Sequence, residues 1–233
     1  MGSTTEHGVS PLGELLSFPV HDGLRVSARL EHPARARACY VLAHGAGAGM
    51  EHPFMRVVAT GLAARRIATL RYQFPYMERR SRRPDPPPLC HATVRAAVAQ
   101  AARLLPGLPL IAGGRSFGGR MTSQAQALAP LAEVRGLAFL GFPLHPAGKP
   151  SAGRAEHLSQ VQIPMLFLQG TRDALADAAL LTSVLAGLGG RARIDWLEGA
   201  DHGFHVAARS GRSDAQVQEM LLGAFRSWAE ELL

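Results

Sequence analysis

Lysine is nearly missing from this chain: of its 25 basic residues only Lys149 is a lysine. A polycation built almost wholly from arginine reflects coding bias more than a selected nucleic-acid footprint, so no nucleic-acid partner is expected. Cysteine is also scarce. Cys39 and Cys90 cannot build a disulfide framework, which makes the cytoplasm the expected compartment. Long hydrophobic runs are missing too, since the longest, Gly136 to Leu144, holds nine residues where a spanning helix needs about 20. Met1 to Ser10 carry no apolar signal core, so neither a membrane partner nor a secretory leader is expected. Aromatics are few at 6%, yet 47% hydrophobic and 18% charged residues lie within the globular range. The 233 residues suit one domain, expected over residues 14–233 behind a tail of residues 1–13.

The charge of +7 is unevenly spread. Residues 1–116 hold 15 basic against 7 acidic side chains, whereas residues 117–233 hold 10 against 11. Apolar runs of strand length alternate with helix-length segments, the pattern of a parallel sheet covered by helices. Glu14 to Glu31 reads as a hairpin turning at His21, Asp22 and Gly23. Further strands are expected at Ala38–Ala43, Ile67–Tyr72, Leu108–Gly113, Val134–Phe142, Met165–Gly170 and Arg193–Leu197, most of them apolar throughout, as strands buried on both faces are. Helices are expected at Pro53–Arg66, Leu89–Leu105, Phe117–Leu128, Leu175–Leu188 and Asp214–Leu233.

One long connection interrupts the alternation. Gln73 to Pro88 holds five prolines and the arginines Arg79, Arg80, Arg82 and Arg83; proline at that density argues against a regular helix or central strand. It reads either as a solvated surface loop or as a rim that attracts anions.

Gly114-Arg115-Ser116-Phe117-Gly118 matches G-x-S-x-G, with a short apolar strand before it and a helical pattern after it. That setting puts a serine on a sharp strand-to-helix turn. The flanking glycines are expected because a Cβ there would clash with the crowded turn. The helix start aims backbone N–H groups and a partial positive charge at Ser116, which favours an alkoxide and a tetrahedral anion.

Acyl transfer also needs a backbone donor from a second loop. Strand Ala38–Ala43 ends in His44-Gly45-Ala46-Gly47-Ala48-Gly49-Met50. Ala46 is the expected donor, with Gly45 and Gly47 as close alternatives that are also expected to contact substrate, and Phe117 supplies the second N–H. A dinucleotide site is the rival reading of this loop, but the third glycine of G-x-G-x-x-G would fall on Met50, and the next strand ends in Arg71, Tyr72 and Gln73 without an acid for a ribose.

A nucleophilic serine needs a base, and the base needs an orienting acid. Asp173 follows strand Met165–Gly170 and His202 follows the last strand, 57 and 86 residues after Ser116. Each lies where a strand reaches its carboxyl end, the edge at which open parallel sheets place their chemistry. Asp177 and His205 are the nearest substitutes, and Asp201 reads as a turn-stabilising residue.

These four motifs together resemble the α/β-hydrolase superfamily over essentially Glu14 to Leu233. Within it, Arg71-Tyr72-Gln73-Phe74-Pro75-Tyr76 and Phe142-Pro143-Leu144-His145-Pro146-Ala147-Gly148-Lys149-Pro150 are most similar to the small lidless bacterial proteins labelled dienelactone hydrolase-like, a group that also resembles the testis-expressed hydrolase-like proteins of animals. The resemblance implies an α/β-hydrolase fold: a mostly parallel central sheet of about seven or eight strands, an N-terminal antiparallel hairpin and helices on both faces. It implies a Ser116, His202, Asp173 triad with Ala46 and Phe117 at the oxyanion, acting as a carboxylesterase on a small acyl substrate with no metal or organic cofactor. True dienelactone hydrolases use a cysteine at the position of Ser116, so their substrate is not implied.

Only about 20 residues separate Phe142 from Met165, too few for a lid domain. A shallow site is expected, with Tyr76, Phe142 and His145 as substrate contacts, His145 reading equally as a loop histidine that caps backbone carbonyls, in a monomer or homodimer. The other class of function open to this sequence is a non-catalytic interaction module on the same fold.

Overall fold

The computed structural model describes residues 13–21 and 23–233; the expected tail before Gly13, and Asp22 of the expected turn, lie outside the described residues. Eight strands form one sheet in the order β1-β2-β4-β3-β5-β6-β7-β8. They run Glu14–His21 (β1), Leu24–Glu31 (β2), Ala38–Ala43 (β3), Ile67–Tyr72 (β4), Leu110–Arg115 (β5), Val134–Leu140 (β6), Met165–Gly170 (β7) and Ala192–Leu197 (β8). β1 and β2 form the antiparallel hairpin, β2 joins β4 antiparallel, and every other pairing is parallel. Strands β3, β4 and β7 are buried along their whole length, which explains their largely apolar sequences, broken only by Thr69 and Arg71 on β4 and Gln169 on β7.

The period-2 alternation divides each central strand between two layers. On β3, Tyr40 and Leu42 face a cluster with Phe54, Met55 and Val58 of helix α1 (Pro53–Ala63) and Leu221, Phe225 and Trp228 of helix α6 (Asp214–Glu231). Cys39, Val41 and Ala43 face the other layer, with Val94 and Val98 of helix α3 (Pro87–Leu104) and Met121 of helix α4 (Phe117–Leu128). Both thiols are buried, and desolvation pushes Cys39 and Cys90 up to about 12. None of the helices among the described residues is long and apolar enough to cross a membrane.

Element bounds move by up to three residues from the sequence reading, and two of the differences have a visible cause. The proline-rich connection carries a one-turn helix, α2 (Pro75–Glu78), and α3 begins at Pro87. Each of these prolines sits in a first helical turn, where no intrahelical N–H is required of it and its fixed φ suits the helix. Helix α5 (Ala178–Ala186) starts three residues later than Leu175 because the Asp177 carboxylate caps it, accepting the Leu180 N–H at 2.8 Å. Between β6 and β7 the only regular structure is a 3-10 turn at Gly153–Gln160, so the described residues insert no lid there.

Candidate active site

Ser116 occupies the single residue between β5 and α4, at φ 48° and ψ −117°. That left-handed conformation is costly for a residue with a Cβ and persists only where the surroundings enforce it. The Ser116 N–H donates to the Leu140 carbonyl at 3.2 Å, and its own carbonyl accepts the Arg120 N–H at 3.1 Å, which starts the helix. The glycines on either side are needed for a different contact from the one expected. A Cβ on Gly114 would stand 2.3 Å from the Ala43 carbonyl oxygen, and one on Gly118 would stand 2.4 Å from the His44 oxygen, so the turn is pressed against the end of β3 and not against the serine. Gly118→Ala is therefore expected to cost about 1 to 3 kcal/mol through overpacking against immovable backbone, a fall of roughly 3 to 10 °C in Tm that thermal unfolding would read.

His202 lies on the loop after β8. Its Nε2 is 2.9 Å from Ser116 Oγ and its Nδ1 is 2.7 Å from Asp173 Oδ2. A carboxylate only accepts, so the ring hydrogen sits on Nδ1 and Nε2 is left to accept from the serine hydroxyl. The Asp173 side chain is fully buried, while His202 keeps 24% of its side chain exposed. Asp173 is held from two further directions: its Oδ2 accepts the Gln169 amide at 2.6 Å and its Oδ1 accepts the Leu175 N–H at 2.7 Å. The Gln169 oxygen in turn accepts the Phe142 N–H at 2.8 Å, which fixes the amide's orientation. Gln169 is a residue the sequence reading missed, although a glutamine within the wholly buried run Met165–Gly170 was the available signal.

The His202 loop is shaped by Asp201, whose Oδ1 accepts the N–H groups of Gly203 and His205 at 2.7 and 2.9 Å. His205 turns away to Asp214, at 2.7 Å, and does not approach Ser116. On the other side, Arg115 lies over the Phe54 ring at 4.3 Å, Phe54 stacks on Phe204, and an Arg115 Nη2 donates to the His202 carbonyl at 3.4 Å. A second serine–histidine contact, Ser123 to His157 at 2.7 Å, has a different character. Ser123 is fully buried, and burial, with Arg120 close by, pushes His157 down to about 4, so the ring stays neutral, with no carboxylate bonded to it among the described residues.

The loop after β3 approaches the same point, since Gly118 touches the His44 carbonyl. Gly45 is buried, Ala46 half-buried and Gly47 exposed. Phe117 is the first residue of α4, so its N–H has no intrahelical acceptor.

Residues 36–230 match the family model of the alpha/beta hydrolase domain. The chain belongs to the α/β-hydrolase family. Among solved structures this hydrolase is similar to a dienelactone hydrolase from Anabaena variabilis, with 21% identity, a TM-score of 0.76, and coverage of 94% of this chain and 97% of that one. A lidless α/β serine hydrolase from Xanthomonas campestris gives 20% identity and a TM-score of 0.73, with 95% and 98% covered. Est1E from Butyrivibrio proteoclasticus, with ferulic acid bound, gives 15% and 0.69, with 93% and 98% covered. At these identities the likeness is one of fold.

Three residues expected on the rim of the hydrolase lie inside it. Tyr76 is fully buried, and its hydroxyl donates to the Ala46 carbonyl at 3.0 Å, so it braces the loop after β3 from behind. Phe142 is fully buried against Phe139 and Phe167. His145 is 3% exposed; its Nε2 accepts the Asp177 N–H at 2.8 Å and its Nδ1 donates to the Pro146 carbonyl at 2.9 Å, tying the loop after β6 to the start of α5. The arginine-rich loop is only partly solvated. Arg79 pairs with the buried Asp85, which also accepts the Tyr76 N–H at 2.7 Å, while Arg80, Arg82 and Arg83 are exposed.

His44 does more than mark the glycine loop. Its Nε2 accepts the Phe74 N–H at 3.0 Å and its Nδ1 donates to the Gly45 carbonyl at 2.7 Å, so the neutral ring links the loop to the chain leaving β4. Burial holds His44 down at about 4. Its folded value lies below the ordinary one, so the stabilisation is complete above about pH 6.5 and is lost as pH falls toward 4, where the unfolded chain takes up a proton that the folded chain refuses. Urea unfolding of the wild type is expected to lose stability across that window at up to about 1.4 kcal/mol per pH unit from this residue. His44→Gln is expected to reduce the slope, the remainder coming from the equally depressed His157, and a wild-type stability that stays level from pH 6.5 to 4.5 would contradict this assignment.

Proposed function

We propose that this α/β-hydrolase is a serine esterase that cleaves small carboxylic esters through an acyl-enzyme. The observation that carries the reading is the unbroken contact series from Asp173 through His202 to Ser116, at 2.7 and 2.9 Å, ending on a serine in a strained left-handed turn. In the first half-reaction Ser116 Oγ bonds to the ester carbonyl carbon while its proton passes to His202 Nε2. Asp173 stabilises the imidazolium, and the N–H groups of Phe117 and Ala46 receive the oxyanion. The carbon–oxygen bond to the alcohol then breaks, and His202 returns the proton to the leaving oxygen. Water repeats the sequence: its oxygen attacks the acyl-enzyme, its proton goes to His202 and then to Ser116 Oγ, and the carboxylic acid departs.

The short β6–β7 connection supports a preference for short acyl chains, since the described residues offer no lid to bury a long one. A fluorophosphonate probe is expected to modify Ser116, as mass spectrometry of the labelled peptide would read, and 4-nitrophenyl esters from acetate to decanoate are expected to lose kcat/KM with chain length. Absence of labelling on folded protein would favour a non-catalytic module instead.

A further inference from the structure

Arg120 lies one helical turn beyond Ser116 on α4, and its guanidinium sits over the Phe117 ring at 5.9 Å. It is half-buried, with a completely buried Nε that meets no hydrogen-bond partner, and among the described residues it forms no ion pair. Arg154, half-buried on the 3-10 turn Gly153–Gln160, faces it with the same charge and is likewise without an ion pair among the described residues. The neighbouring histidines add no acid. His157 is engaged with Ser123 at 2.7 Å and His91 with Gln124 at 3.2 Å. Asp85, which acts on nearby Cys90, is already taken by Arg79 and by the Tyr76 N–H.

Two like charges kept half-desolvated and without an ion pair, one of them a helical turn from Ser116, are costly unless something negative completes them. A guanidinium presents parallel N–H donors that match a carboxylate in bidentate geometry. We infer that Arg120 and Arg154 form an anion subsite for a free carboxylate on the acyl part of the substrate. This rests on the esterase reading above and narrows it: the substrate is an ester that carries a second, ionised carboxyl group, such as a half-ester of a dicarboxylic acid. Phe117 connects the two sites, because it supplies one of the N–H groups proposed for the oxyanion while its ring carries Arg120.

The test compares mono-4-nitrophenyl glutarate with 4-nitrophenyl pentanoate, which have acyl chains of equal length and differ in one carboxylate. In the wild type the ratio of kcat/KM values, glutarate over pentanoate, is expected to be about ten or more, the size of one charge-assisted contact. Arg120→Gln and Arg154→Gln are each expected to lower that ratio at least fivefold, and Arg154, on an outlying turn, serves should Arg120→Gln fail to fold. A ratio unchanged in the folded variants overturns the subsite and leaves the esterase reading standing. If neither ester is hydrolysed, the esterase reading falls, and the subsite is decided by titrating glutarate against Tm. A saturable rise in the wild type that Arg154→Gln lacks supports it, and no rise in the wild type overturns it.

Discussion

Ser116→Ala is expected to lower kcat for 4-nitrophenyl acetate by about a million-fold, to the level left by binding and oxyanion contacts alone. The size of the loss follows from the way the three groups act together. Without Oγ, His202 Nε2 has no proton to take and the 2.9 Å contact has no partner, so Asp173 and Gln169 orient a base that does nothing. The fold is expected to survive, because alanine keeps the Cβ that the turn already accommodates at φ 48° and the backbone bonds to Leu140 and Arg120 do not involve the side chain. Tm should therefore move little while fluorophosphonate labelling disappears. A variant that retains turnover within tenfold of the wild type would remove Ser116 from the reaction and with it the proposed mechanism.

Asp173→Asn is expected to lower kcat by roughly ten-thousand-fold at neutral pH. The present Oδ2 accepts from both Gln169 and His202, at 2.6 and 2.7 Å. An asparagine can place its oxygen or its amide there, and either choice is damaging. With the amide inward, two N–H donors from Asn and Gln169 confront each other, and the amide donates to His202 Nδ1, which moves the ring hydrogen to Nε2 and leaves no acceptor for the Ser116 proton. With the oxygen inward, the tautomer is kept but the negative charge that stabilises the imidazolium is gone, and the outward amide opposes the Leu175 N–H now accepted at 2.7 Å. Measuring kcat beside Tm separates the two effects. A loss below tenfold in a folded protein would show that Asp173 is not the orienting acid.

The parallel strands and the residues that end them were legible because both report on the backbone. β3, β4 and β7 begin and end at the residues expected of them, and Ser116, Asp173 and His202 each follow a strand's carboxyl end, where the topology alone brings distant segments together. What the sequence hid was the direction of loop side chains. Tyr76 on the one-turn helix α2, and Phe142 and His145 in the loop after β6, each turn inward to a distant partner: the Ala46 carbonyl, the Phe139 ring and the Asp177 N–H. Local pattern carries no trace of such long-range partners. The prolines of residues 73–88 misled for another reason: they oppose a helix interior but favour its first turn, and Pro75 and Pro87 each occupy one. Arg120 and Arg154 gave no signal at all, since 34 residues separate two arginines among 25 basic side chains.

The two interior thiols have a use outside catalysis. Because Cys39 and Cys90 are sealed in the core and shifted to about 12, neither presents a thiolate to an alkylating reagent at neutral pH. A thiol introduced at position 116 by Ser116→Cys would sit at the start of α4 beside His202, the surroundings that sharpen sulfur nucleophiles. The folded molecule would then carry one addressable sulfur at a defined point, a handle for attaching a spectroscopic label or tethering small fragments without first removing the native cysteines.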